Sequence, residues 1–225
     1  MSTRIIGIQS SPRGKNSTTL KLLEAALGAA RQSGAETELV DVTKLRIEYC
    51  NGCLSCRQTG KCRIEDDYQE LIGKLRAADG IILSSPNYMS GITAQLKTVF
   101  DRSANCNHEQ YFEGKYAFSI MTAGGSDEEL VLGIMNDFLK ETGARVIGGI
   151  GLLRIRGPPG MEDAIGRARE LGMDLVKAVL EKRPYPEQDA ERAAWRERFS
   201  RTIKANEKNW RHNFEFWVEK GWIRP

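Results

Sequence analysis

Apolar residues along this chain recur with two alternating periods. Residues 4–9 (RIIGIQ) form a short apolar run that reads as a buried strand, and over 17–32 Leu20, Leu23, Ala26, Leu27 and Ala30 fall at helical spacing. The alternation continues with a strand over 36–42 and a helix from about Asp66 to Ala77, with Asp66 as its expected N-cap. A strand over 81–85, a helix over 92–102, a strand over 115–123 and a helix from Ser126 to Thr142, stopped at Gly143, come next. A fifth strand over 144–153 and a fifth helix over 161–183 complete the series. Five strand–helix units with short connections predict an α/β fold, a parallel sheet covered by helices on both faces. Residues 103–114 have no clear period and read as irregular.

Beyond Pro184 and Pro186 the pattern changes. Trp195, Phe199, Ile203, Trp210, Phe214 and Trp217 lie near one face of a single expected helix, and all four tryptophans fall in this tail. Aromatic surface on that scale must be covered, by the chain's own core or by another subunit, and a sheet of five complete units favours the subunit. The chain thus divides into a domain over 1–183 and a helical extension over 184–225.

The 225 residues are 40% hydrophobic and 28% charged, enough for one substantial core. The formal charge of +3 is too small to argue for nucleic acid. No apolar run is long enough for a membrane span, and the start resembles no secretory signal, so a cytoplasmic protein is expected.

Four of the five cysteines fall in thirteen residues, CNGCLSCRQTGKC, as Cys50, Cys53, Cys56 and Cys62. Thiolates at this density select zinc, Cu(I) or an iron–sulfur cluster. Structural zinc sites use separated Cys-x2-Cys knuckles, whereas three cysteines at intervals of three are like ferredoxin loops, so the four read as ligands of a 4Fe-4S cluster. Zinc, a disulfide and free thiols remain the alternatives. Arg57, Lys61 and Arg63 would partly offset the charge of such a cluster. The fifth cysteine, Cys106, reads as a small buried hydrophobe, and His108 and His212 as solvent-facing.

In a parallel sheet, ligands bind beyond the carboxyl ends of the strands. Three loops follow strands there. The first, SSPRGKNSTT over 10–19, offers hydroxyls, Arg13 and helix N-terminal amides suited to a phosphate, and it matches neither a Walker loop nor a dinucleotide fingerprint. In the second, SPNYMSGI over 85–92, Tyr88 and Met89 offer surfaces for a ring system. In the third, TAGGSDE over 122–128, Gly124 and Gly125 permit close backbone approach.

These loops, the compact cysteine motif, the Asp66–Asp67 pair and LKTVFDR at 96–102 resemble the iron–sulfur flavoproteins, a branch of the NADPH-dependent FMN reductase and flavodoxin-like superfamily. The resemblance spans about 3–183. It implies a flavodoxin-like three-layer sandwich with a five-stranded parallel sheet in the order 2-1-3-4-5, the C-terminal helices being an addition. It further implies FMN, its phosphate held by Ser11, Arg13, Ser17 and Thr18 with Asn16 and Thr19 beside them. Pro86, Asn87, Tyr88, Met89, Ser90 and Gly91 would flank one side of the isoalloxazine, and Thr122, Ala123, Gly124 and Gly125 another. The expected activity is an FMN-dependent oxidoreductase carrying electrons from ferredoxin or NAD(P)H to a small acceptor, as a homodimer or homotetramer. The alternative is an FMN or quinone reductase whose cysteines hold zinc or nothing. No catalytic acid or base is assigned, because the chemistry belongs to the cofactors.

Overall fold

The computed structural model describes residues 2–224. Its sheet has five parallel strands: β1 (Arg4–Gln9), β2 (Glu36–Asp41), β3 (Gly80–Pro86), β4 (Tyr116–Ala123) and β5 (Arg145–Leu153), ordered β2-β1-β3-β4-β5. The register aligns Ile6 with Ile81 and Leu83 with Ser119, so the apolar runs of the three central strands stack across the middle of the molecule. The alternation of strand and helix dictates this arrangement, because parallel neighbours need crossovers and each crossover here is a helix.

The helices on one face are α1 (Thr18–Gln32) and α7 (Gly157–Glu181). The two cross so closely that a Cβ on Gly172 would stand 2.2 Å from the Ala26 carbonyl oxygen. Helix α7 begins four residues before the expected start, because Pro158 and Pro159 occupy its first turn, where the missing N–H costs nothing. The opposite face carries α3 (Tyr68–Ala77), α4 (Ala94–Arg102), α5 (Ala104–His108) and α6 (Glu128–Glu141). Helix α5 falls in the stretch expected to be irregular. Asp66 is not the N-cap of α3: Asp67 takes that position, and the Asp66 carboxylate is drawn away to Arg102.

The tail forms two helices, α8 (Pro186–Ala205) and α9 (Arg211–Glu219), separated at Asn206–Trp210. Helix α8 packs against the start of the β5 edge of the sheet. Gln188 accepts from the Val146 amide and donates to the Val146 carbonyl, both at 2.8 Å, in place of a sixth strand, and Arg145 pairs with Asp189. The aromatic surface is covered within the chain: Phe199 lies 4.7 Å from the His108 ring, and Trp217 is fully buried and donates to the His108 carbonyl at 2.8 Å.

His108 is therefore buried, contrary to the solvent-facing expectation, and its Nδ1 bonds Asn213 Oδ1 at 3.0 Å. Burial drives its imidazole down to about 4, the Asn213 bond opposes this, and Arg57 adds to the lowering. In the unfolded chain the same ring titrates near 6.5, so the folded state binds fewer protons between those values. Stability is lost as pH falls through that window, by about 3 kcal/mol at completion. The carboxyl of neighbouring Glu109 is raised by burial and works in the opposite sense. The ring itself is the cleaner readout. Its NMR signals are expected to titrate near pH 4, and a midpoint near 6.5 would contradict the buried, uncharged imidazole.

Candidate functional site

Two separate regions gather the chemistry. The first lies at the carboxyl ends of β1, β3 and β4, as the topology demands. Ser17 caps α1 by accepting from the Leu20 amide at 3.1 Å, and with Thr18 and Thr19 of the first turn it lines a cavity of about 260 Å³ at the helix N-terminus. Ser11, Arg13, Thr18 and Thr19 join Ser17 on that side, and Pro86, Asn87, Tyr88, Thr122, Ala123 and Gly124 form the other walls. A buried contact of 2.6 Å between the Thr19 and Thr122 hydroxyls ties the two sides together. A helix N-terminus, hydroxyls and the guanidinium groups of Arg13 and Arg154 in a single recess suit an anion.

Five residues expected here stand outside the lining. Asn16 lies exposed in the short turn before Ser17, and Gly125 faces Ile155. Met89, Ser90 and Gly91 form a tight turn behind Tyr88, in which the Tyr88 amide donates to Gly91 O at 2.9 Å and the Gly91 amide returns to Tyr88 O at 3.1 Å. Met89 and Ser90 take left-handed backbone (φ 49° and 57°), and the Met89 side chain projects fully into solvent.

Two residues went unforeseen. Arg154, just beyond β5, lines the cavity, and the rule that pointed to the other three strand ends would have found it. Asp127 accepts from Asn87, Ser90 and Ser126 at 3.0–3.1 Å, binding the 87–91 turn to the 124–128 loop. Those three donors hold its carboxyl below the usual range.

The second region is the cysteine segment, whose thiols are all free. Cys56 sits on α2 (Ser55–Thr59), and Cys50 and Cys53 are exposed before it. Cys56, Cys62 and the buried Cys106 line a cavity of about 520 Å³ with Arg102, Tyr68 and Tyr111. It is larger than the first cavity and lies on the α3–α5 face, where Glu65 and Asp66 stand at the start of α3. Burial raises the Cys56 thiol above its ordinary value, Cys62 adds to this, and Arg57 opposes it. Cys106 packs as expected, its thiol pushed up to about 12 by burial.

Arg102 organises this region. Its Nη1 donates to Asp66 Oδ2 at 2.6 Å and to the Glu48 carbonyl at 2.7 Å, and its Nη2 donates to Asp66 Oδ1 at 3.1 Å and to Cys62 Sγ at 3.2 Å. The Asp66 carboxylate also accepts the Glu48 and Tyr68 amides. Burial would raise the Asp66 carboxyl, but these donors outweigh it and hold it below the usual range.

Among the described residues no three Cys, His, Asp or Glu side chains are gathered closely enough to hold a metal ion. In kind and location the donor set still fits a soft metal: four free thiols within a thirteen-residue stretch, two of them on one cavity, with a guanidinium donating to a sulfur.

Comparison with known proteins adds the class. A solved NAD(P)H:quinone oxidoreductase from Methanothermobacter marburgensis superposes with a TM-score of 0.63 at 21% identity, covering 78% of this chain and 98% of that one. The fold is flavodoxin-like. The family model described as NADPH-dependent FMN reductase matches residues 3–152. An iron–sulfur flavoprotein of Archaeoglobus fulgidus is 36% identical over 222 residues, covering 98% of this chain and 100% of the relative. Another of Methanosarcina thermophila is 35% identical over 148 residues, covering 64% of this chain and 77% of that one. The chain belongs to the NADPH-dependent FMN reductase family and is an FMN-dependent oxidoreductase. Among the described residues no helix is long and apolar enough to cross a membrane.

Proposed function

We propose that this protein moves electrons between a donor, ferredoxin or NAD(P)H, and a small acceptor such as oxygen, a peroxide or a quinone, using FMN and a 4Fe-4S cluster. The observation that carries the reading is the pairing, in one chain, of an anion-binding recess at the strand ends with a separate segment of free thiols. When bound, FMN exchanges electrons in pairs or singly and a cubane exchanges them singly, so the two connect different kinds of carrier.

Ser11, Arg13, Ser17 and Thr18 hold the phosphate, assisted by the α1 amides. Pro86, Asn87 and Tyr88 bound one side of the ring system, and Thr122, Ala123 and Gly124 the other. Met89, Ser90, Gly91 and Gly125 act through the shape of these loops, which Asp127 fixes. Cys50, Cys53, Cys56 and Cys62 are the cluster ligands. Arg102 steadies Cys62 and, by donating to its sulfur, favours the reduced cluster. Arg102 thus joins Arg57, which lies over Trp210 and favours the Cys56 thiolate, in the electrostatic part.

One observation favours the second reading, an NAD(P)H-dependent FMN or quinone reductase whose cysteines bind zinc or nothing: Cys50 and Cys53 stand exposed at the surface. An anaerobic reductive titration separates the two. Three electrons per chain, two taken up with flavin bleaching and one with a cluster signal in electron paramagnetic resonance, are expected. Two electrons with no such signal would overturn the two-centre reading.

A further inference from the structure

The cysteine segment has almost no core of its own. Helix α2 buries no residue, and Cys50 through Leu54 are exposed. Two internal backbone bonds shape it, from the Arg57 amide to the Leu54 carbonyl and from the Gly60 amide to the Cys56 carbonyl, at 3.0 and 2.9 Å. A piece so poorly buried opens easily unless something outside holds it.

That holder is the end of the chain. Helix α9 packs on α2. The Arg57 guanidinium lies 4.1 Å from the centre of the Trp210 ring, and its buried Nε has no hydrogen-bond partner, as expected of a cation seated on an aromatic face. Gly60 has left-handed backbone (φ 76°), and a Cβ there would stand 2.5 Å from the His212 ring, so α9 closes on this turn with no room to spare. His212 is itself fixed by Glu109 at 3.0 Å. The next turn of α9 is rooted in the domain: Asn213 donates to Asn105 Oδ1 and Glu109 Oε1 at 2.7 and 2.9 Å, and Trp217 to the His108 carbonyl. Asn105 lines the same cavity as Cys56 and Cys62.

We propose that the C-terminal extension is a clasp for the cysteine segment, with Trp210 and His212 as positioning residues that hold Arg57 and Gly60 and thereby set where Cys56 and Cys62 sit. One face of α9 grips the segment while the other is anchored on α5, so the extension carries the segment's position to the domain. The clasp stands on contacts within the chain, and only its effect on a cluster rests on the two-centre reading above.

Hydrogen exchange on the full FMN-bound chain tests it. Trp210→Ala and Arg57→Ala are each expected to speed exchange of the Arg57 and Gly60 amides about tenfold, the loss of one desolvated cation–aromatic contact. Trp210→Phe, which keeps an aromatic face, should restore most of the protection. Amides of α1 and retention of FMN should not change. Because Trp210 also packs on His108 and Phe199, a second cycle avoids it. Gly60→Ala should loosen the segment when His212 is present, and the same change made in His212→Ala should add less loosening, because the clash is gone. In protein that carries iron and sulfide, bleaching of the cluster absorbance in air should accelerate by the same factor in Trp210→Ala. If the protein carries neither, the cluster reading fails while the exchange results still decide the clasp. Unchanged exchange at Arg57 and Gly60 in both alanine variants, or equal loosening in Gly60→Ala with and without His212→Ala, would overturn it.

Discussion

Replacing Asp66 by alanine is expected to destabilise the protein by about 3 kcal/mol. Both Asp66 and Arg102 have side chains with 0% of their surface exposed, and the pair is bidentate. Deleting the carboxylate strands a buried guanidinium whose remaining acceptors are two carbonyls and the Cys62 sulfur. Two backbone amides, Glu48 and Tyr68, lose their acceptor as well. The pair borders the larger cavity, where water can reach a stranded charge, so the loss falls at the low end of what breaking a buried ion pair costs. Asp66→Asn keeps an acceptor oxygen and should lose less. Urea unfolding with an unchanged slope measures both, and a loss below about 1 kcal/mol for Asp66→Ala would mean that the pair does not hold this region together. On the two-centre reading proposed above, Arg102→Lys should also lower the midpoint potential of the cluster and leave that of the flavin unchanged.

Arg13→Ala is expected to weaken FMN binding by ten- to fiftyfold, the equivalent of about 1.4–2.3 kcal/mol for a charge-assisted bond to phosphate. The specific sign is in the comparison with riboflavin, which has the same ring and no phosphate. If Arg13 and the α1 amides grip the phosphate, the variant's affinity for riboflavin should match that of the parent. Titration of the flavin-free protein, followed by flavin fluorescence, measures both constants. An equal loss for the two ligands would mean that Arg13 shapes the cavity and does not contact the phosphate. Ser17→Ala should weaken FMN in the same selective way and also cost about 1 kcal/mol of stability through the lost helix cap.

The sheet and its helices were legible because each unit writes its period locally, in strand runs of six to nine residues and helical faces of up to twenty-five. The strand-end recess was legible for a related reason: topology puts every such loop on one edge, so Ser11, Ser17, Pro86 and Thr122 could be named together although more than a hundred residues separate the first from the last. Arg154 is the counter-example, missed although the same rule covers the end of β5. What stayed hidden depends on contacts that no local pattern records. Asp66 looks like a helix cap in sequence, and only the packing of α4 brings Arg102, thirty-six residues later, onto it. His108 looked exposed because nothing near it says that Phe199, Asn213 and Trp217 will close over it. The aromatic spacing of the tail was visible, but its division at Asn206 and its partner within the chain were not.

The most direct test is the composition of protein purified without oxygen, with iron, acid-labile sulfide, zinc and FMN measured on one sample. About one FMN with four iron and four sulfide per chain is the result expected for Cys50, Cys53, Cys56 and Cys62 acting together on one cluster. FMN with a single zinc, or with neither metal nor sulfide after reconstitution, would contradict it and leave a plain FMN-dependent reductase in which the cysteine segment is a structural element.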